Sequence, residues 1–231
     1  STDDKDHKVS AYFDARGAMA CNTPDQAVNL QKADSARIKA WRVGTVEQPV
    51  LQKRGDDLRI DWGCFYVALA EDAKGSLTAN LANATRASFL ATGSLPAPAA
   101  ESSLQNNDRN DMVLACALNL DAKKIKPASG WLMLAYDDLY SIQYMRKNLR
   151  PYWRRNGWEA ADLLKASAHD YASLQKRCAA FDTELLADLT KVGGENYAEL
   201  GALAYRQCFA AGKFVDDDNG QPLQFCKENH S

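Results

Sequence analysis

Trp131 to Trp158 reads WLMLAYDDLYSIQYMRKNLRPYWRRNGW, and the chain changes character across it. Before it, apolar residues come in short runs broken by Gly, Pro, Asn and Asp, the pattern of strands joined by turns. After it, they recur every three or four residues as far as Lys213, the period of a helix face. The stretch itself holds Tyr136, Tyr140, Tyr144, Tyr152, Trp153 and Trp158, the acidic pair Asp137-Asp138, and the bases Arg146, Lys147, Arg150, Arg154 and Arg155. The expected fold class is α+β: an antiparallel β-sandwich portion over 1–138, a joint at 139–158, and a helical portion over 159–231.

Upstream of the joint, five strands stand out. Val9 to Ala15 alternates with Tyr and Phe, and Arg37 to Val46 alternates with Gly44 as a candidate bulge. Leu58 to Leu69 reads as one strong strand with Gly63 as a bend or close-approach point. Asp72 to Gly75 is expected to be a hairpin connection, and Leu81 to Leu90 a short helix. Met112 to Leu120 and Gly130 to Tyr136 complete the set. Short strands at turn-punctuated spacing predict a sandwich, here one lacking its opening strands.

Downstream, Leu139 to Leu149 fits both the helical and the strand period, and Pro151 ends any helix at Arg150. Asn156 with Glu159 is spaced as a capping box. Leu164, Tyr171, Leu174, Cys178, Phe181, Leu185, Leu189 and Val192 then share one face as far as Gly193-Gly194. Asn196 with Glu199 opens a second helix, Tyr197 to Lys213, and a connection of four to five residues makes the two an antiparallel hairpin. Two helices cannot bury such faces alone, so this layer also reads as incomplete. A short strand, Pro222 to Cys226, follows an Asn-Gly turn.

Composition narrows the function classes. Apolar content is 46%, charged content 25% and net charge −2, ordinary for a globular protein and without the basic excess that draws nucleic acid or anionic lipid. No apolar run approaches the ~20 residues of a membrane span. The cysteines at 21, 64, 116, 178, 208 and 226 form no CxxC pair, and no His stands at ligand spacing from one. They read as buried free thiols, and neither metal nor cofactor is expected. Asp216-Asp217-Asp218-Asn219-Gly220 lacks calcium-loop spacing and reads as turn chemistry. Asp56, Asp57, Asp61, Asp137 and Asp138 include carboxylates that could serve as acid and base in glycoside hydrolysis, although adjacent Asp residues on a strand point to opposite faces. The aromatic and Arg run of the joint could stack sugars or fill an interface. Tyr205-Arg206-Gln207 and the trio Lys227-Glu228-Asn229 combine a carboxylate clamp, a point charge, an acid or base and amides that read polar groups.

GDDLRIDWG at 55–63, AYDDLYSIQYMRKNLRPYW at 135–153, GGENYAEL at 193–200 with ALAYRQ at 202–207, and KEN at 227–229 resemble the fungal-type glutaminase A family. NTPDQ at 22–26 and GTVEQPVL at 44–51 fit as well, so the resemblance spans nearly the whole chain. It implies a β-sandwich-like domain followed by an α/α barrel, with this chain an internal or processed segment of the two. It implies secreted or periplasmic placement and hydrolysis of L-glutamine to glutamate and ammonia. Amide hydrolysis needs a nucleophile, a base and an oxyanion stabiliser. On resemblance and residue type, Glu228 and Lys227 are the catalytic candidates, and Arg206, Asn229, Tyr205 and Gln207 the substrate-binding ones. Relatives usually have Ser at the position of Cys226, and many have His at that of Gly212. The expected partners are a small amide substrate and a second polypeptide segment carrying the rest of the barrel. The alternatives are a glycosidase-like protein, with Asp137, Asp138 and Glu228 as suspects, and a non-catalytic half that completes another chain.

Overall fold

The computed structural model describes residues 3, 5–53, 59–99, 102–104, 112–124, 126–210, 212–217 and 219–226. The chain divides into two units, Ser1–Leu139 and Tyr140–Ser231. Antiparallel sheets followed by a long helical element make the fold α+β.

In the first unit, β1 (His7–Arg16), β5 (Gly75–Leu81) and β7 (Met112–Ala122) form one sheet in the order β1-β7-β5. The second sheet runs β6-β2-β3-β4-β8, from β2 (Val28–Lys32), β3 (Ile38–Thr45), β4 (Cys64–Ala70), β6 (Ser102–Leu104) and β8 (Met133–Asp137). Alternation decides what each strand buries. Leu30, Trp41, Val43, Phe65, Val67 and Leu69 from one sheet meet Ala79, Met112, Leu114 and Cys116 from the other in a single core. The alternate residues of β7, Val113 and Ala115, instead pack under Ala82 of α1 (Ala82–Thr92), so this strand is covered on both faces. Burial pushes the Cys116 thiol up to about 11, leaving it an unreactive core residue.

In the first unit, three strands escape the sequence reading. β2, β5 and β6 are rich in Gly, Ser, Ala, Asn and Gln, poor strand formers held by their ladders rather than by propensity. Other boundaries differ too. The stretch 59–63 is irregular, and β4 begins only at Cys64, because Gly63 (φ 79) takes the chain out of extended geometry. Gly44 is not a bulge: pairing runs unbroken from Val28↔Thr45 through Asn29↔Gly44. The 71–74 turn is no hairpin either, since β4 and β5 belong to different sheets.

Helix α1 is tied to β1 by charge. Arg86 donates to both oxygens of Asp14 at 2.7 and 3.0 Å, and the Tyr12 hydroxyl donates to the same carboxylate at 2.8 Å. Hydrogen bonds from Arg86, opposed by burial, hold the Asp14 carboxyl below its ordinary value of 3.8. A folded-state pKa lowered in this way contributes stability above the ordinary value, and that contribution fades as pH falls through the folded one. Asp14→Asn is expected to cost about 1 kcal/mol at neutral pH, a small figure because the Arg86 side of the pair is in water. Urea midpoints at neutral and acid pH should converge for wild type and variant as the wild-type carboxylate protonates.

In the second unit, residues 142–149 form a hairpin, so the ambiguous stretch is not a helix: β9 (Ile142–Tyr144) pairs with β10 (Lys147–Leu149). The turn residues Met145 and Arg146 both have positive φ, 46° and 68°, as a tight two-residue hairpin turn requires. A short 3-10 turn, Tyr152–Arg154, leads to α2 (Ala160–Ala210). The cap of α2 falls three residues later than the spacing predicts, at Glu159 rather than Asn156. The Glu159 N–H donates to the Asp162 carboxylate at 3.0 Å, while Gly157 at φ 77 separates Asn156 from the helix.

Gly194, at φ 81 and ψ −178, is the one non-helical residue inside α2. The segments on either side fold back on each other. The Phe181 and Tyr205 rings lie 5.6 Å apart, and a Cβ on Gly201 would stand 3.1 Å from the Leu189 methyls. The connection is therefore a single residue, not four or five. The second arm ends at Ala210, and Lys213 belongs to β11 (Gly212–Asp216), which pairs with β12 (Pro222–Cys226). Their turn is held by the Asp217 carboxylate, which accepts from the Asn219 and Gln221 N–H groups at 2.8 Å each. Leu164 and Ala198 are buried in α2, whereas Phe181, Val192, Tyr197, Leu200, Leu203 and Phe209 are exposed. The apolar stripe legible in the sequence is thus largely uncovered.

Candidate functional site

The six residues selected on sequence grounds fall into two groups. Lys227, Glu228 and Asn229 lie outside the described residues. Tyr205, Arg206 and Gln207 sit on the second arm of α2, all exposed. Tyr205 stacks between Phe181 and Phe209, at 5.6 and 4.7 Å, so its ring serves the arm-to-arm contact. Arg206 and Gln207 precede the end of the helix by about one turn. The register Gly212↔Cys226 returns β12 to the start of β11, so Cys226, to which Lys227 is bonded, lies beside the chain leaving this arm.

A second constellation is assembled from residues far apart in sequence. Gly63 lies where three stretches of backbone cross. A Cβ there would overlap the Asp137 carbonyl oxygen, and a Cβ on Gly44 would overlap the carbonyl of Gly63 itself. Gln48 bridges the crossing: its Oε1 accepts from the Gly63 N–H at 2.5 Å, and its Nε2 donates to the Thr45 carbonyl at 2.7 Å. Asp61 is fully buried, receiving Gln26 Nε2 at 2.6 Å and an ion pair from Lys53. The Thr45 hydroxyl donates to the Asp61 carbonyl at 2.5 Å. The Tyr136 hydroxyl donates to the carbonyls of Ile60 and Trp62. Burial first, then the nearby Cys64, Asp138 and Asp61, pushes that phenol up.

Parts of four motifs, 22–26, 44–51, 55–63 and 135–138, therefore meet at one polar crossing. Asp61, Asp137 and Asp138 are all buried there. Asp61 is engaged by Gln26 and Lys53, and Asp137 accepts the Leu139 N–H at 3.1 Å. Buried and engaged in this way, Asp61 braces side chains of the crossing and Asp137 the backbone that leaves it. Asp56 and Asp57 lie outside the described residues. Among the described residues, no group of three His, Cys, Asp or Glu could hold a metal ion, and no helix is long and apolar enough to cross a membrane.

The aromatic joint is similarly occupied. Arg150 lies 5.2 Å over Tyr140, Arg154 4.5 Å over Trp153, and Arg155 4.0 Å over Tyr152. Arg154 is itself buried, bonded to Glu159 at 2.7 Å. Tyr152 and Tyr144 also meet Phe214 and Phe225 of β11 and β12 at 4.7 and 5.3 Å. The cysteines are thiols, but only Cys21 and Cys116 are fully buried; Cys64 is half-buried and Cys178, Cys208 and Cys226 are exposed, correcting the expectation of uniformly buried thiols.

Sequence reasoning missed Gln26, Arg42, Gln48, Lys53, Cys64 and Tyr66. Glutamines inside turn-rich stretches carry no periodic signal, and Arg42 looks like any polar residue on the outer face of a strand. Comparison with known families finds one matching profile, described as Domain of unknown function (DUF5127), over residues 1–188. No curated protein matches the chain.

Proposed function

The chain belongs to the DUF5127 family, and from that premise we propose that it is one part of a glutaminase-type amidohydrolase acting on a small carboxamide. The observation that carries this reading is the arrangement at the end of α2. Arg206 and Gln207 are exposed, and the β11–β12 hairpin returns the chain to the same end of the arm before Lys227-Glu228-Asn229. Arg206 would clamp the substrate carboxylate, Gln207 and Asn229 would read its polar groups, and Glu228 with Lys227 would assist proton transfer. The uncovered apolar stripe of α2 supports a further helical segment of an α/α barrel as partner, because contiguous exposed apolar residues mark interaction surfaces. The resemblance supports secreted or periplasmic placement.

A glycosidase reading draws less support. Its suspects Asp137 and Asp138 are buried, and the rings of Tyr140, Tyr152 and Trp153 already carry guanidinium groups. The reading as a non-catalytic half draws on the same apolar stripe.

Ammonia release from L-glutamine, set against reducing-sugar release from a glycan panel, separates these readings. The assay uses this chain alone and joined to the downstream segment. Arg206→Ala in the joined protein is expected to raise KM roughly 10- to 100-fold, the loss of a hydrogen bond to a charged group, with a smaller change in kcat. Sugar release without ammonia would favour the glycosidase, and neither product would leave the structural half.

A further inference from the structure

The outer face of the five-stranded sheet carries a cavity of about 210 Å3, lined in part by Asn29, Gln31, Arg42, Gly44, Gln48 and Cys64. Its floor is Gly44, where any side chain would press on Cys64: a Cβ would stand 2.9 Å from the Cys64 Sγ. Arg42 forms one wall. Its Nε and one terminal nitrogen donate to Gln31 Oε1 at 3.0 and 2.6 Å, and its other terminal nitrogen reaches the Tyr66 hydroxyl at 3.5 Å.

Both partners of the guanidinium are neutral. Gln31 holds it in one plane through its inner edge without cancelling its charge. Asp137 acts on it through space, and the three side chains Arg42, Tyr66 and Cys64 all feel that carboxylate. Burial first, against the pull of Arg42, raises the Cys64 thiol, so the sulfur brings no charge at neutral pH. Arg42 lines this cavity as a planar cation hydrogen-bonded to the neutral Gln31 and Tyr66, and a guanidinium of that kind can receive a carboxylate. The Asp137 carboxylate, which acts on Arg42, repels every negative charge on a ligand and so favours the smallest anionic charge that Arg42 can hold. The volume, below the range of drug-sized pockets, sets an upper limit on size.

We infer that this cavity is a binding site for a small monocarboxylate, held by the Arg42 guanidinium above the Gly44 floor. The lining residues named above all belong to the first unit, and the amidohydrolase reading uses none of them, so the inference stands whether or not that reading does.

Two measurements on the 231-residue protein test this. In the first, amide resonances are followed while propionate, and separately inorganic phosphate, is added at constant ionic strength. Propionate is expected to shift Gly44 and Gly63 saturably, with phosphate at least roughly tenfold weaker and Arg42→Gln weaker than wild type by a similar factor. Shifts that do not saturate, phosphate binding as well as propionate, or a folded Arg42→Gln that binds unchanged would each overturn the site. The second needs no variant. Peptide mapping after thiol alkylation at alkaline pH should show propionate protecting Cys64 but not the exposed Cys178. Equal alkylation of Cys64 with and without propionate would overturn the proposal even if Arg42→Gln fails to fold.

Discussion

Gly63→Ala is expected to cost roughly 4 kcal/mol or more, enough to leave much of the chain unfolded. Two effects add. At φ 79 an L side chain carries a penalty of about 1–2 kcal/mol, because Cβ crowds the following carbonyl. Steric overlap costs more. The new methyl would overlap the Asp137 carbonyl oxygen and sit 3.0 Å from the Asp138 Cα, and both obstacles are backbone at the end of a paired strand. A flexible side chain could swing away, but a strand cannot without breaking Cys64↔Asp137 and its neighbours. Urea denaturation followed by tryptophan fluorescence reads the loss, since Trp41 and Trp62 are both buried in this unit. A variant within about 1 kcal/mol of wild type, the range of ordinary surface changes, would mean the crossing is not rigid.

Gly194→Ala should change shape more than stability. A φ of 81 with ψ of −178 is a conformation used almost only by glycine, and forcing alanine into it costs about 3 kcal/mol. Against this stand the contacts that hold the arms together. The Phe181–Tyr205 pair is worth about 0.5–1.5 kcal/mol. Leu189 against Gly201 adds a little packing. Alanine also gains about 1 kcal/mol over glycine in a helix interior. The balance favours straightening α2 into one continuous helix. Spin labels on the exposed native Cys178 and Cys208, with Cys64 and Cys226 replaced by Ser, report it directly. The two lie across the corner in the folded arms and would stand about 45 Å apart in a straight helix. A short distance that survives Gly194→Ala would show that arm packing outweighs the backbone penalty.

The two glycines illustrate how the chain is organised. Each lets backbone do what no side-chain-bearing residue allows, one by close approach and one by reversal. The crossing at Gly63 gathers Gln26, Gln48, Asp61 and Tyr136 into one hydrogen-bonded set, so the motifs that carry the resemblance are first of all a scaffold. The cavity beside it, built on Gly44 and Arg42, is where that scaffold meets solvent.

Local pattern determined the α+β class and the strands at Val9, Ile38, Met112 and Met133 by periodicity, helix α1 by composition, and the break at Gly194 by its glycine pair, because all of these are local properties of a chain. Tertiary structure decided the rest. β2 and β5 exist because neighbouring strands pair with them and a core buries Leu30 and Ala79, not because their residues favour extension. Residues 139–149 fit two periods equally, and 142–149 became a hairpin whose strands carry Tyr144 to Phe225. Among the site residues, Arg206 was legible as a residue type on a helix, but its exposure was not. Arg42, Gln48 and Cys64 became a constellation only when two sheet strands and an irregular loop brought them within reach of one another. Distance in space between residues distant in sequence is set by packing, and packing leaves no periodic trace to read.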